Sequence, residues 1–454
     1  MFFGIHSINL ELQISPVDLF SVLSEHCENA FLLESSEGVE KLSRFSFLGF
    51  SPSKKIKLKN GILNTDEQES EVNSPVSALK NEISKSGTKT PGFLGGAVGY
   101  FSFDYIRYIE KLSNALKDEL NFPDFEFGIF DDAIVYDHKE NKIRYVYQKE
   151  NRLDQILKFI KDSSFFTKPL ELFNIKSNIT KEKFCENVEI AKEHIKSGDI
   201  FQTVLSKRYD IKFSGSLISF YKKLKATNPS PYMYYLKFGE REIIGSSPEN
   251  LIRIEDRNIT SYATLAGTRP RGKTPEEDAR FETELLNDEK ERAEHIMLVD
   301  LTRNDVGKVA EIGSVKIPEL MNVHKDSHVQ HITSLVTAKL RKENDSFDAF
   351  NAIFPAGTVS GAPKIRAIEI IDKLEKTKRG PYAGAVGYFS TNGNADFAIG
   401  IRTLFANKNR AYIQTGAGIV YDSVPEKEFQ ETESKAKALL QAIGEDRYEA
   451  AING

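Results

Sequence analysis

One segment of seven residues occurs twice in this chain, at positions far apart. Residues 96–102, Gly-Ala-Val-Gly-Tyr-Phe-Ser, recur letter for letter at 384–390. Small residues that alternate with bulky ones suit a strand that another stretch of backbone approaches closely. A single recurrence does not indicate a solenoid of stacked repeats. We therefore predict that each copy is a strand with a close backbone neighbour.

The length and composition of the chain favour a large globular protein. Its 454 residues suggest two or three domain-sized units or one large unit, and 40% of them are hydrophobic. The net charge of −5 gives no sign of a surface for nucleic acid. There is no run of about 18 apolar residues and no signal-peptide pattern at the start. Cys27 and Cys185 have neither a disulfide framework nor zinc spacing. We expect a soluble, cytoplasmic protein that does not bind membranes.

The order of predicted elements divides the chain into three parts. Residues 1–150 contain irregular strands, 151–179 form a charged connector, and 180–442 mix strand runs with helix runs. Thr180 is a suitable N-cap for the first helix of the third part, and Pro425 suits the first turn of the last helix. This order favours an α+β fold over regular alternation of strands and helices.

Two pairs of glutamates lie at i,i+3 spacing on two predicted helices that are far apart in sequence. Glu291 and Glu294 share a helix face with His295, and Glu428 and Glu431 form the second pair. If the two pairs face each other, they form a cage of hard oxygen ligands that suits a hard cation. The alternative is that both pairs are solvated helix faces, as charge runs usually are.

Glycine-rich turns and one arginine in the second half are candidates for binding a carboxylate. The turns lie at 266–268, 355–363 and 416–418, and they do not fit phosphate-loop or dinucleotide patterns. Their backbone N–H groups can bind an anion, although each is otherwise an ordinary turn. Arg402 lies inside a predicted strand, 397–404, where its guanidinium either grips a carboxylate bidentately or forms an internal salt bridge.

Two further residues are candidates for proton transfer. Glu249 follows an apolar strand and a proline, and it can act as a general acid if its surroundings raise its pKa. The alternative role is to cap a turn. His328 and His331 lie close together without metal-ligand spacing to a cysteine, and a single histidine is more often structural.

Taken together, these segments resemble the chorismate-utilising enzymes. The resemblance covers residues 180–440, and its motifs occur in the order found in that family. They include Gln-Thr-Val-Leu-Ser at 202–206, Ser-Pro-Glu at 247–249, Ala-Gly-Thr-Arg-Pro-Arg-Gly at 266–272, Glu-Arg-Ala-Glu-His at 291–295, Leu-Val-Asp-Leu-Thr-Arg-Asn-Asp at 298–305, His-Val-Gln-His at 328–331, Gly-Thr-Val-Ser-Gly-Ala-Pro-Lys at 357–364, Gly-Pro-Tyr-Ala-Gly-Ala-Val-Gly at 380–387, Gly-Ala-Gly at 416–418 and Glu-Phe-Gln-Glu at 428–431.

The resemblance implies two packed antiparallel β-sheets flanked by helices, and a Mg²⁺ site beside a chorismate pocket. It implies that Glu294 and Glu431 hold the ion and that Glu291 and Glu428 lie behind bridging waters. The ion would neutralise the ring carboxylate of chorismate. The remaining substrate-binding residues implied by the family are Tyr382, Arg402, Gly416, Ala417 and Gly418 for the enolpyruvyl carboxylate, Thr268 and Thr358 for the pocket wall, and Lys435 near the metal helix.

The family also implies which nucleophile is used. Members that add water carry a lysine where this chain has Gln202, so we expect ammonia as the nucleophile here. Aminodeoxychorismate synthases carry a nucleophilic lysine where this chain has Ala266. The expected reaction is therefore addition of ammonia at C2 of chorismate, with Glu249 protonating the C4 hydroxyl and His331 removing the C2 proton, to give anthranilate and pyruvate. The alternatives are an aminodeoxychorismate or aminodeoxyisochorismate synthase.

The N-terminal part resembles the tryptophan feedback site of the anthranilate-forming branch. The resemblance lies in residues 32–35 and 228–233, and it implies an inhibitor site made of Glu34, Ser35, Pro231, Tyr232, Met233 and Tyr388. The alternative is that these residues only pack the interface between the two parts. A non-catalytic tryptophan-binding protein is a third reading, against which the complete set of acid, base and metal residues argues.

The chain contains no recognisable glutaminase. Neither Cys27 nor Cys185 lies on the tight glycine-flanked turn that a glutaminase nucleophile needs. We therefore expect ammonia to come from a separate glutamine amidotransferase subunit or from solution.

Overall fold

The computed structural model of the chain describes residues 4–35, 44–66, 68–72, 74–83, 85–86, 92–113, 116–164, 167–325 and 329–443. At 263–266, 268, 329 and 438 it describes the backbone without the side chain. The predicted pocket residue Thr268 thus has no described side chain, and His328 lies outside the described residues.

Strands make up the larger part of the fold. In chain order they are β1 (His6–Leu10), β2 (Asn29–Glu34), β3 (Phe45–Phe50), β4 (Lys54–Lys59), β5 (Ile62–Thr65), β6 (Gln68–Glu71), β7 (Gly96–Phe101), β8 (Phe125–Phe130), β9 (Asp132–Asp137), β10 (Lys142–Tyr147), β11 (Glu171–Ser177), β12 (Gln202–Ser214), β13 (Tyr232–Phe238), β14 (Arg241–Ser247), β15 (Asn250–Glu255), β16 (Asn258–Pro270), β17 (Lys316–Lys325), β18 (Val329–Lys339), β19 (Gly361–Ala362), β20 (Ala385–Ser390), β21 (Ala395–Ile399), β22 (Thr403–Asn407) and β23 (Arg410–Ile419).

The helices lie between groups of strands. They are α1 (Pro16–His26), α2 (Pro75–Asn81), α3 (Leu153–Asp162), α4 (Lys181–Lys196), α5 (Ile218–Thr227), α6 (Pro275–Asn287), α7 (Glu289–Gly307), α8 (Ser346–Ile353), α9 (Gly357–Ser360), α10 (Lys364–Glu375) and α11 (Pro425–Ile443), with a 3₁₀ helix at Phe103–Tyr108. Among the helices of the described ranges, none combines the length and the apolar character that crossing a membrane requires.

Two antiparallel sheets contain all of these strands. Within the described residues, the first sheet has the order β1-β10-β9-β3-β2-β13-β14-β22-β23-β12-β11, with β19 also paired to β12. The second sheet has the order β17-β18-β16-β15-β21-β20-β7-β8-β4-β5-β6. The predicted α+β fold of two antiparallel sheets flanked by helices is confirmed. Each sheet contains strands from 1–150 and from 180–442.

The two copies of the repeated segment are strands that pair with each other. Gly99 of β7 lies opposite Gly387 of β20 in the antiparallel register. A Cβ atom on Gly99 would lie 2.0 Å from the carbonyl oxygen of Glu126, and one on Gly387 would lie 2.0 Å from that of Asp396. Both glycines are therefore required by close backbone neighbours, as the repeated pattern predicted.

Aromatic rings from the two sheets meet in the core. The ring centres of Phe31 in the first sheet and Phe130 in the second are 4.7 Å apart, in an edge-to-face arrangement. Phe101 and Phe389 belong to the same cluster. On the other face of the first sheet, α1, α3, α5 and α11 bury a second apolar cluster. Truncating a ring such as Phe101 to alanine would cost about 3–5 kcal/mol of folding stability.

Side-chain caps set where the site-bearing helices begin. The Thr180 side chain accepts a hydrogen bond from the backbone N–H of Lys183, as predicted for an N-cap. Asp288 ends α6 and starts α7, because its carboxylate accepts the N–H groups of Lys290 and Glu291. This cap places Glu291 in the first turn of α7.

Candidate active site

A cavity of about 1020 Å³ opens between the two sheets and helices α7 and α11. Its wall contains most of the residues predicted to form the site, which are Gln202, Glu249, Glu291, Glu294, His331, Thr358, Tyr382, Arg402, Gly416, Gly418, Glu428, Glu431 and Lys435. Residues from distant parts of the chain therefore share one space of the size that small-molecule sites usually have.

One end of the cavity is acidic. Glu291 and Glu294 reach it from α7, and Glu428 and Glu431 reach it from α11. Burial, and then the like charge of Glu291, raise the pKa of Glu294, and Glu431 adds to this effect. Burial raises the pKa of Glu428 as well, with Glu431 contributing. The two predicted pairs thus face a common space, with like charges that repel.

The donor set at this end fits a hard divalent cation. Carboxylate oxygens are ligands that Mg²⁺ takes in proteins, and a cation would offset both the burial and the repulsion that raise the pKa values of these glutamates. Two of the oxygens already have partners, since Gln202 Nε2 donates to Glu294 Oε1 at 2.6 Å and Lys435 Nζ donates to Glu431 Oε1 at 2.5 Å. In the described part of the chain, no three acidic, histidine or cysteine side chains form a closed metal-ligand cluster.

His295 does not belong to this end, although its spacing put it on the same helix face as the glutamates. Its ring is fully buried, and Nε2 hydrogen-bonds with Ser334 Oγ at 2.6 Å. It fixes α7 to β18.

Another part of the cavity wall suits an anion. Arg402 and Tyr382 line it, and burial raises the pKa of Tyr382 while the cationic Arg379 and Arg402 oppose that shift. Arg402 does not lie inside a continuous strand as predicted, because β21 ends at Ile399 and β22 begins at Thr403. It has a positive φ of 50° at the junction between the two strands.

The backbone of β23 also opens toward this space. Strand β12 pairs with β23 from Arg410 to Ile419, whereas β22 pairs with it only as far as Ile413. Beyond Ile413, one edge of β23 is therefore left for the cavity, which Gly416 and Gly418 line. Ala417 points its side chain away from the cavity into an apolar cluster that includes residues of α4. The carbonyl oxygen of Gly416 on this edge accepts a 3.0 Å hydrogen bond from Lys435 Nζ, and backbone N–H groups on such an edge are suited to binding a carboxylate.

Glu249 also lines the cavity, in the turn from β14 to β15. It is buried, and its Oε1 accepts a 2.6 Å hydrogen bond from Thr358 Oγ1. Burial raises the pKa of Glu249 to about 7, against the opposing effects of Thr358 and Lys435. A carboxyl group that is largely protonated near neutral pH is suited to act as a general acid.

His331 and Gln202 contribute two further polar groups to the wall. His331 Nδ1 lies 3.0 Å from the carbonyl oxygen of Gly267, and because a carbonyl can only accept, Nδ1 must donate. In the neutral ring Nε2 is then the basic nitrogen. Gln202 is buried with its amide nitrogen on Glu294, and its Oε1 is a buried acceptor with no hydrogen-bond partner among the described residues.

The residues predicted for a tryptophan site lie outside this cavity. Glu34 of β2 and Met233 of β13 are opposite each other in the first sheet. The Glu34 carboxylate is buried and accepts hydrogen bonds from Tyr221 Oη at 2.5 Å and Lys225 Nζ at 2.7 Å. Ser35 Oγ is a buried hydroxyl with no partner in the described residues.

Tyr232 and Tyr388 of this predicted set both lie beside Asp396 of β21. The Tyr232 hydroxyl donates to Asp396 Oδ1 at 3.0 Å, and Tyr388 lies opposite Asp396 in the second sheet. The Tyr388 ring packs edge-on against Phe47, with ring centres 5.9 Å apart. Pro231 precedes Tyr232 and is partly exposed. Tyr232 and Tyr388 thus lie where the two sheets face each other, whereas Glu34 and Met233 face α5 on the other side of the first sheet.

Several residues that the sequence patterns did not single out also belong to the site. Lys290, Gln414 and Ser434 line the cavity. Arg379 does not line it, but this fully buried arginine contacts its wall from behind. Gln414 and Arg379 stand next to predicted motifs, at 416–418 and 380–387, and extending those motifs by a few residues would have included them.

Neither cysteine is among the described residues that line the cavity. Cys27 is buried, and burial raises the pKa of its thiol, while Cys185 is partly exposed on α4. An unreactive buried thiol is not the nucleophile of a glutaminase.

Comparisons with known proteins agree with this arrangement. The family model described as chorismate binding enzyme matches residues 12–441. The chain is 46% identical over 432 residues to anthranilate synthase component 1 of Methanothermobacter thermautotrophicus, covering 94% of this chain and 92% of that relative. It is 38% identical over 467 residues to the protein of the same name from Bacillus subtilis, covering 95% and 90%.

Solved structures of related proteins have a similar fold. The crystal structure of anthranilate synthase component I from Streptococcus pneumoniae matches with a TM-score of 0.81 and 40% sequence identity, covering 89% of this chain and 93% of that one. The menaquinone-specific isochorismate synthase of Escherichia coli matches with a TM-score of 0.74 and 19% identity, covering 97% and 95%. At that identity the second match shows a shared fold only.

Proposed function

The chain belongs to the chorismate binding enzymes, and from this we propose that it converts chorismate and ammonia to anthranilate and pyruvate, as the large subunit of an anthranilate synthase. The observation that carries the proposal is the cavity itself. Its wall brings together four carboxylates, Arg402, the open edge of β23 and a carboxyl group of raised pKa, that of Glu249. A cyclic substrate with two carboxylates needs a cation at one end and an arginine at the other.

We assign substrate binding to two groups of residues in the cavity wall. Glu294 and Glu431 would hold Mg²⁺, with Glu291 and Glu428 behind them, and the bound ion would neutralise the ring carboxylate and orient it. Arg402, Tyr382 and the backbone of Gly416 and Gly418 would hold the enolpyruvyl carboxylate. Glu249 and His331, which line the same cavity, would then lie beside the ring.

The proton transfers follow from the environments of Glu249 and His331. Glu249 is the general acid that protonates the departing C4 hydroxyl, since burial keeps much of it protonated near pH 7. His331 Nε2 takes the C2 proton in the second step, because Nδ1 is committed to the carbonyl of Gly267. Loss of pyruvate then makes the ring aromatic.

The side chain of Gln202 supports ammonia as the nucleophile. An amide cannot deprotonate water, whereas ammonia needs no base to attack. Hydrogen-bonded to Glu294 through its nitrogen, Gln202 keeps its carbonyl oxygen as an acceptor beside the cavity. An acceptor suits the N–H groups of ammonia.

Product analysis tests this function directly. We expect that incubation with chorismate, Mg²⁺ and an ammonium salt yields a fluorescent product with the mass of anthranilate, together with pyruvate. Aminodeoxychorismate or aminodeoxyisochorismate as the end product, each of which retains the enolpyruvyl group, would point to the alternative synthases. No consumption of chorismate, together with tight tryptophan binding, would point to a non-catalytic protein.

A glutamine amidotransferase is the proposed partner. The name component 1 of the relatives implies a second component, and neither cysteine of this chain has the setting of a glutaminase nucleophile. Ammonia would come from that partner, and an ammonium salt would replace it in the assay. We place the pair in the cytoplasm, where free thiols stay reduced.

We propose that residues 1–150 are the regulatory part, that 180–442 are the catalytic part, and that tryptophan binds beside Glu34. Its ammonium would use the carboxylate that Lys225 now holds, beside Met233 on the neighbouring strand. Glu34→Gln removes one charged hydrogen bond, so we expect the tryptophan concentration for half inhibition to rise about 10–100-fold with turnover unchanged. Titrations of activity with tryptophan measure this.

Asp18→Asn is the matched control for that substitution. Asp18 pairs with Lys222 on the same helix as Lys225, but at an exposed position. Inhibition should be unchanged in Asp18→Asn. Equal inhibition of Glu34→Gln and the unsubstituted protein would remove Glu34 from the tryptophan site.

A further inference from the structure

Arg379 is one of the largest fully buried side chains of the protein, and the mechanism above does not use it. It lies between α10 and the segment that carries Tyr382. Its Nε and Nη2 donate to both oxygens of Glu375, at 2.8 and 2.7 Å. A buried bidentate ion pair must offset the cost of removing two charges from water, and it does so only when further hydrogen bonds satisfy the remaining donors.

Those remaining donors go to the wall of the cavity. Nη1 donates to the carbonyl oxygen of Val359 at 2.8 Å, and Nη2 donates to that of Val204 at 2.7 Å. Val204 and Val359 both line the cavity, from β12 and α9. Val359 directly follows Thr358, whose hydroxyl donates to Glu249. The guanidinium therefore fixes the short helix that holds the proposed general acid.

Two more residues of the cavity wall, Tyr382 and Gln414, are connected to the ion pair of Arg379 and Glu375. The Arg379 guanidinium lies over the ring of Tyr382, 5.7 Å from its centre. Glu375 Oε1 also accepts the backbone N–H and the hydroxyl of Ser206, each at 2.8 Å. The Ser206 hydroxyl oxygen in turn accepts a 2.8 Å hydrogen bond from Gln414, which lines the cavity. Four segments of the wall thus meet at one ion pair.

We infer that Arg379, with Glu375, is a positioning residue that sets the distance between the proposed general acid and the part of the wall that carries Tyr382 and Gln414. The inference rests on the proposed function, because it names what the wall has to position. A planar guanidinium with donors in a fixed fork suits this task, since it determines the directions of several acceptors at once. A lysine at this position keeps the charge but has a single nitrogen, which cannot reach the acceptors on Glu375, Val359 and Val204 together.

The test uses Arg379→Lys. We expect the variant to fold and to lose about 100-fold in kcat/KM for chorismate, the size of effect that a misplacement of about 1 Å produces. Arg241→Lys is the matched control, because Arg241 makes a bidentate ion pair with Glu126 at 2.6 and 2.7 Å that does not line the cavity. The control should keep its kcat/KM. Thermal unfolding of both variants separates stability from activity.

A double-mutant cycle with Thr358→Val distinguishes positioning from general loosening. If Arg379 acts through α9, adding Thr358→Val to Arg379→Lys should lower kcat/KM by much less than Thr358→Val does alone. If the two substitutions lower kcat/KM by factors that multiply in the double variant, the inference is wrong. It is also wrong if Arg241→Lys loses as much kcat/KM as Arg379→Lys. If the unsubstituted protein makes no anthranilate, the proposed function fails, and the same cycle is then measured on the dissociation constant of chorismate.

A second variant covers the case in which Arg379→Lys does not fold. Replacing both charges together, in Arg379→Met with Glu375→Leu, leaves no buried charge unpaired and is the kind of exchange that stable proteins tolerate. We expect it to fold, with an unfolding temperature lowered by the hydrogen bonds that Ser206 and Val359 lose, and still to lose about 100-fold in kcat/KM. Unchanged kcat and KM in this folded variant would show that the pair does not position the wall.

Discussion

Glu249→Gln is expected to lower kcat by about 10²–10⁴-fold while chorismate still binds. The glutamine has nearly the same shape and can still accept the hydrogen bond from Thr358, but it has no proton to give to the departing hydroxyl. Because Glu249 has a pKa of about 7, the rate of the unsubstituted protein should fall as the pH rises above 7, when the acid loses its proton. The variant should lack this fall. Steady-state rates between pH 5.5 and about 9 measure both effects.

Glu242→Gln is the matched control for this substitution. Glu242 is a mostly buried carboxyl group whose pKa is also raised by burial, and its partner is the hydroxyl of Tyr235, away from the cavity. Its replacement should leave kcat near normal. A near-normal kcat in Glu249→Gln would remove that residue from the mechanism. If both variants lost kcat equally, the loss would come from replacing a buried carboxyl group and not from the loss of a general acid.

The helices of the site were predictable because their signals are local. The Thr180 cap, the proline start of α11 and the i,i+3 spacing of the glutamates all act within a few residues, and the structure has each of them where expected. That Glu294 and Glu431 share a cavity was a prediction of a different kind. It followed from the likeness of many ordered motifs to one family, since spacing within a helix says nothing about which helix faces it.

Features that depend on distant pairing were not predictable from local patterns. The repeated segment indicated that each copy has a close neighbour, but not that Gly99 and Gly387 would be neighbours of each other. Arg402 was placed inside a strand because residues around it are apolar, whereas its positive φ breaks that strand. Arg379 has no period or motif of its own, and its role depends on acceptors on three other segments.

The acidic end of the cavity gives the second prediction with a large effect. Glu294→Ala should raise the Mg²⁺ concentration for half-maximal turnover by more than about 10²-fold, which exceeds the usual loss when only an outer-shell partner is removed. The reason is that a cation held by few carboxylates depends on each one, and Glu294 is the more buried of the two proposed direct ligands. Activity measured over a Mg²⁺ titration gives this value, and calorimetric titration of the protein with Mg²⁺ gives it without turnover.

A surface glutamate on the same helix provides the comparison. Glu289 lies in the first turn of α7 and is exposed, so Glu289→Ala removes the same charge from the same helix without touching the cavity. Both variants lose one negative charge, and long-range attraction of the cation should weaken about equally in the two. Only Glu294→Ala should lose Mg²⁺ binding. Turnover by Glu294→Ala that persists in excess chelator would contradict the proposed cation site. The reaction would then proceed without an ion between the four carboxylates.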